Sequence, residues 1–193
     1  MIIGITGPTG SGKTTLLQMI AQQGGLVLDC DKIYHDLLQT DRVLLQNIKD
    51  MFPAGFEDGK LDRKKLGAIV FSDESALQKL NAITHSAVKK VVMEALSTKP
   101  ALAAIDAIGL FEGGLAELCD VTVAVIAPED VRIARLVARE GISEDYAKKR
   151  IGAQKSTADF AALCDFVLEN DGTQEQFYAN SLAFLSGLGI IKV

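Results

Sequence analysis

Cations are outnumbered in this chain: 20 lysines and arginines stand against 25 aspartates and glutamates, a net charge of −5 over 193 residues. That deficit argues against a surface built to coat DNA, RNA or an anionic membrane, and leaves room for a small basic site for one anionic ligand. Long apolar runs are missing as well. The most extended, Ala101 to Phe111, is broken by Asp106 and Gly109, short of the ~18–20 residues a membrane helix needs. The first lysine is Lys13, so Met1-Ile2-Ile3-Gly4-Ile5 shows no basic leader of a secretory signal. Cysteine is sparse. Cys30, Cys119 and Cys164 are an odd number, far apart and without C-x-x-C spacing, so neither a disulfide framework nor a zinc site is expected. Buried free thiols in a reducing, cytoplasmic location are the expectation. Repeats, low-complexity tracts and flexible linkers are not found.

What is present is an ordinary globular balance, 48% hydrophobic and 23% charged, which suits one compact domain or one domain carrying an insertion. Strand-length apolar runs recur at Ile2–Thr6, Leu26–Leu28, Ala101–Asp106, Val121–Ile126 and Phe166–Leu168. Separated by helical patterns, they predict an α/β fold with a parallel sheet of about five strands and helices on both faces. Residues 31–97 are too long for a simple crossover and read as a helical insertion. Within it, Asp41–Met51 and Asp62–Phe71 are helical around a turn at Pro53-Ala54-Gly55. Leu77, Leu80, Ala87, Val88, Val91 and Ala95 form one stripe that predicts a helix over 74–97. A second excursion, 128–156, has a helix to Glu140 stopped at Gly141 and another capped by Ser143. The remaining 1–30, 98–127 and 157–193 make the core.

Gly7-Pro8-Thr9-Gly10-Ser11-Gly12-Lys13-Thr14 is a full G-x-x-x-x-G-K-[ST] match, preceded by a strand and followed by a helix whose core face is Leu16, Leu17 and Ile20. Glycines let such a loop aim backbone N–H groups at phosphate oxygens, and the helix N-terminus adds its positive dipole end. Lys13 reaches the β- and γ-phosphates and the Thr14 hydroxyl is a Mg²⁺ ligand. The chain is therefore a P-loop NTPase that binds a nucleoside triphosphate.

Ligands of parallel sheets sit outside the strands' carboxyl ends, which brings Asp29 and Asp31 forward. Either could cap the next helix; Asp31 is the candidate to accept a proton from a substrate hydroxyl. Arg132, Arg135 and Arg139 share a helix face, which is often merely a solvated one. In an acidic chain whose ligand is a polyphosphate they point to a lid, with Arg139 and Arg150 foremost. His85 lies on the flank of its helix, off the apolar stripe, where a ligand contact fits; His35 is placed on the surface.

These residues, together with Leu28-Asp29-Cys30-Asp31-Lys32-Ile33, the D-G-K-L-D-R element ending at Arg63, Leu80-Asn81-Ala82-Ile83-Thr84-His85, Asp106 to Gly114, Arg150-Ile151-Gly152-Ala153-Gln154 and Asp165 to Asn170, resemble the dephospho-coenzyme A kinase family along the whole chain. Ser86, Ile108-Gly109 and Phe160 depart from its pattern. The resemblance implies γ-phosphoryl transfer from ATP, with Mg²⁺, to the ribose 3′-hydroxyl of dephospho-CoA, the last step of coenzyme A biosynthesis. It makes 31–97 a CoA-binding insertion and 128–156 a lid. It further implies an ATP site of Gly7 to Thr14 with Thr15, Arg135, Arg150 and Asn170. Asp31, His85, Leu110 and Glu112 would bind the substrate, and Lys13, Asp31 and Arg139 would be catalytic. A monomer or weak homo-oligomer is expected, with neither nucleic acid nor membrane as partner. The alternatives are another small-molecule kinase and a regulatory ATPase. Against the latter class, no N-K-x-D base-reading segment and no apolar run ending in D-E is found.

Overall fold

The computed structural model describes residues 1–191, so Lys192 and Val193, at the end of the expected core, lie outside the described residues. Seven strands are formed among them: β1 (Ile2–Thr6), β2 (Leu26–Asp29), two short ones, β3 (Phe56–Glu57) and β4 (Lys60–Leu61), then β5 (Ala103–Asp106), β6 (Val121–Ile126) and β7 (Phe166–Glu169). Five of them make one parallel sheet in the order β2-β5-β1-β6-β7. The two richest in β-branched residues, β1 and β6, are buried along most of their length, as inner strands with helices on both faces must be. All five carboxyl ends therefore open on one rim, and the connection leaving β1 runs to one side of the sheet while those leaving β5 and β6 run to the other, which makes the end of β1 a switch point.

Nine helices complete the described fold: α1 (Lys13–Gln22), α2 (Cys30–Thr40), α3 (Arg42–Met51), α4 (Arg63–Phe71), α5 (Glu74–Leu96), α6 (Glu129–Glu140), α7 (Glu144–Gly152), α8 (Thr157–Leu163) and α9 (Gln174–Gly187). Seven of them start at side-chain caps, Asp29, Asp41, Asp62, Asp73, Ser143, Ser156 and Thr173, each accepting a first-turn N–H, while α1 follows Gly12 and α6 follows Pro128 without one. On one face of the sheet, Ile3, Ile5, Val123 and Val125 pack with Leu16 and Ile20 of α1 and Phe177 and Leu185 of α9. On the other, Leu28, Ile105, Leu110 and Leu115 pack with Val88 and Val92 of α5. Each excursion also has its own nucleus: Leu44, Ile48, Phe52, Leu66, Val70 and Leu80 in the insertion, and Ile133, Leu136, Ala147 and Ile151 in α6–α7.

Two readings need correction. The insertion is not wholly helical, because Asp58 and Gly59, both at positive φ, turn β3 back onto β4 as a hairpin. The buried spine of α5 runs through Ala76, Leu80, Thr84, Val88 and Val92, so it is rotated from the expected stripe. Thr84 was invisible to an apolar pattern, yet it is buried because its hydroxyl donates to Leu80 O at 3.0 Å. As for the thiols, Cys30 is buried, Cys119 and Cys164 are half-buried, and all three are free.

Candidate active site

The phosphate loop lies where β1 hands the chain to α1. Gly7 and Gly12 are there for steric reasons: both have positive φ, and a Cβ would collide with the Val125 carbonyl oxygen at Gly7 and with the Asn170 amide at Gly12. Thr9, Gly10, Ser11, Gly12, Lys13 and Thr14 line an open cavity of about 640 Å³, a volume in the range of small-ligand sites. Gly7 and Pro8 are buried and are not among these lining residues, and neither is Thr15. Lys13 Nζ donates to Gly7 O at 3.0 Å. Asn170, 5% exposed, braces the loop from behind: its Nδ2 donates to Ser11 O at 2.8 Å. Arg135 donates from Nη1 to Gly10 O and Ser11 O and from Nη2 to Asn170 O and Oδ1. With carbonyls engaged outside, the loop's remaining N–H groups are free to serve the cavity.

Three carboxylates border the same cavity, Asp29, Asp31 and Asp106. Asp29 is the cap of α2, accepting from Lys32 N at 2.9 Å, which leaves Asp31 unencumbered in the first helical turn. Asp106 was not a sequence candidate, although it ends an apolar run as Asp29 does and the strand-end argument applies equally. Burial pushes its carboxyl up to about 6, opposed by Lys13 and reinforced by Asp29 and Asp31. Its Oδ1 is buried without a hydrogen-bond partner among the described residues. Such an orphaned hard oxygen, in the cavity that Thr14 also lines, suits Mg²⁺, which typically takes one or two protein ligands and completes its shell with phosphates and water.

The arginine stripe divides. Arg135 and Arg139 face the cavity, joined by Arg150 from α7, whereas Arg132 is 4% exposed and packs against Gly10. Glu140 accepts from both Arg139 and Arg150, so one carboxylate holds two guanidiniums at the cavity wall.

A second cavity, about 190 Å³, adjoins the first and is lined by Cys30, Asp31, Tyr34 and residues of α5 including Asn81, Thr84 and His85, with Ala107, Ile108 and Gly109 opposite. Asp31 and Ile108 belong to both cavities. His85 is thus where the flank position suggested. His35 is on the surface, its Nε2 3.1 Å from Arg63 Nη2. Leu110 is a correction: it is fully buried in the core beside Gly4 and reaches neither cavity wall. Glu112 is exposed and paired with Lys155. Burial would raise its carboxyl, but Lys155 and, more weakly, His85 hold it below the ordinary range. Of the departures from the family pattern, Ser86 is exposed, Phe160 is core, and Ile108 and Gly109 line the second cavity. The Cys30 thiol in that wall is pushed up to about 12 by burial and the neighbouring aspartates, which makes it a packing group and not a nucleophile.

Comparison with known proteins agrees with this geometry. The family model described as dephospho-CoA kinase matches residues 1–176. The dephospho-CoA kinase of Latilactobacillus sakei is 35% identical over 191 residues, covering 96% of this chain and 95% of that protein. That of Anaeromyxobacter dehalogenans is 37% identical over 193 residues, with 97% and 92% covered. A solved Thermus thermophilus protein superposes with a TM-score of 0.83 at 32% identity, covering 100% of this chain and 98% of that one. The Campylobacter jejuni dephospho-CoA kinase gives 0.66 at 23% identity, covering 97% and 96%, and an Acinetobacter baumannii shikimate kinase, at 15% and 0.55 over 96% and 93%, shares the fold. With a phosphate loop at the switch point of its sheet, a carboxylate between two adjoining cavities, and relatives matched end to end, the chain belongs to the dephospho-CoA kinase family.

Proposed function

We propose that this chain transfers the γ-phosphoryl of ATP to the ribose 3′-hydroxyl of dephospho-CoA across the junction of the two cavities. The observation that carries this reading is the position of Asp31, on the wall of both. The larger cavity, with the phosphate loop and three arginines, takes the triphosphate; the smaller, too small for a whole CoA, takes the nucleoside end of the acceptor. Lys13 swings from Gly7 O to the β- and γ-phosphates. Arg139 and Arg150, held together by Glu140, neutralise charge on the transferring group. Arg135 and Asn170 act on ATP through the loop they brace. Asp31 orients the hydroxyl and takes its proton. Thr14 and Asp106 would hold Mg²⁺, which would supply charge neutralisation for the phosphates. His85, Asn81 and Tyr34 shape the acceptor seat, and Glu112, fixed by Lys155, stands at its edge beside His85. Residues 31–97 act as the acceptor-binding unit and 128–156 as the lid.

Release of ADP from ATP, measured with and without dephospho-CoA, tests the proposal. Turnover should rise on adding the acceptor, with CoA formed in equal amount. Equal ADP release without acceptor would identify an ATPase, and phosphorylation of a free nucleoside in preference to dephospho-CoA would identify another kinase.

A further inference from the structure

We propose that Gln154 is a positioning residue of the ATP site, holding the tip of the phosphate loop through Thr9. Its side chain makes a paired contact with a single residue: Oε1 accepts from Thr9 N at 2.9 Å, and Nε2 donates to Thr9 Oγ1 at 2.7 Å. The orientation of the amide is dictated by chemistry, because a backbone N–H can only donate and must meet the oxygen. Thr9 lines the triphosphate cavity, and it stands between Gly7 and Gly10 in a loop whose glycines oppose rearrangement only weakly.

The anchor itself is firm. Gln154 follows α7, its own N–H donating to Ile151 O at 3.1 Å and the N–H of Ala153 to Lys149 O at 3.2 Å. The next residue, Lys155, is paired with Glu112 at the opposite side of the site. The root of the 128–156 segment is therefore tied to the donor loop by one residue and to the acceptor side by the next. Chemistry also selects the amide. Glutamate could accept both of Thr9's hydrogens but would add negative charge beside the phosphates, and asparagine is one methylene short.

A loop tip without this contact must be ordered by the nucleotide, which weakens ATP binding and loosens the γ-phosphoryl. This inference rests on the kinase reading above, and the test separates the two. Gln154→Ala should raise KM for ATP and lower kcat, together costing roughly 5–30-fold in kcat/KM for ATP, the scale set by two part-buried neutral hydrogen bonds. KM for dephospho-CoA should stay within about twofold. Thr9→Ser, which retains both bonds, should match the parent. Thr9→Val with Gln154→Ala should be no worse than Gln154→Ala alone, since that change already removes both bonds to Thr9, whereas Thr9→Val removes only the hydroxyl bond. Assays run well below each variant's Tm remove any effect of global stability. Parental constants in Gln154→Ala, or strictly additive losses in the double variant, would overturn the proposal. So would a loss confined to the dephospho-CoA KM. Parent enzyme that never phosphorylates dephospho-CoA would instead defeat the functional reading.

Discussion

Among the charged groups at the rim, each residue can be distinguished by what else it is doing. Lys13 has no partner more polar than Gly7 O, so it is available to the phosphates, and Lys13→Ala should cost ~3–5 decades in kcat/KM. A variant keeping a tenth of parental activity would remove the loop from the chemistry. Asp29 carries the cap of α2, which makes Asp31→Asn a clean probe of chemistry. kcat should fall by ~10²–10⁴-fold, the usual weight of a general base, while Tm and nucleotide affinity hold steady. A near-parental kcat at saturating dephospho-CoA would shift the role to Asp29. Asp106 makes a different prediction. It keeps its proton up to about pH 6 in the fold, against an ordinary value of 3.8. Between those values the folded protein binds more protons than the unfolded one, so stability declines as pH rises through this window and stays lowered above it. The cost at neutral pH is on the order of 2–3 kcal/mol. Asp106→Asn should therefore melt higher than the parent at pH 7 without nucleotide, the gap closing towards pH 4. A gap that does not change with pH would contradict this assignment.

At the scale of elements, the long helix read as 74–97 and found at Glu74–Leu96, the five strands of the parallel sheet and the glycine-terminated α6 were legible because each is a local pattern, a period, a cap or a stop, whereas the β3–β4 hairpin was not. The rotation of the α5 spine was not, since burial of Thr84 depends on a hydrogen bond that no periodicity reports. Nor was the split of the arginine stripe. Arg132 and Arg135 are neighbours on one helix face, but only the packing of α6 against Gly10 decides that one is covered and the other reaches the loop carbonyls. The excursion formed by α6 and α7 has its own apolar nucleus around Leu136 and Ala147, which a lid closing as one piece would require. Hydrogen exchange in 128–156 should slow when ATP analogue and dephospho-CoA bind together, as closure excludes water. Unaltered exchange at saturation would argue against a lid.

For the molecule as a whole, the site is assembled from the ends of β1, β2 and β5 and from α1, α2, α5, α6 and α7, so ligands that bridge these parts should stabilise all of them at once. ATP analogue with Mg²⁺ at ~100 times its Kd should add about 2.7 kcal/mol by mass action, raising Tm by roughly 5–10 °C for a chain of this size. A Tm insensitive to nucleotide concentration would show that the cavity does not hold it. Among the described residues, no helix is long and apolar enough to cross a membrane, in keeping with the broken apolar run at Ala101–Phe111. By itself the sequence determined the parallel α/β plan, the phosphate loop and the strand-end aspartates, because alternating apolar runs, glycine spacing and strand ends are properties of neighbouring residues. Only the tertiary structure decided that Asp29 caps while Asp31 is free, that Asp106 is buried and Leu110 is core, that Asn170 and Arg135 brace the loop from behind, and that Gln154 reaches Thr9. The cap is a local choice between two aspartates that both suit the helix start; the other outcomes turn on which side chains meet across long stretches of chain, or on how deeply a group is buried, and neither is encoded at one position of the chain.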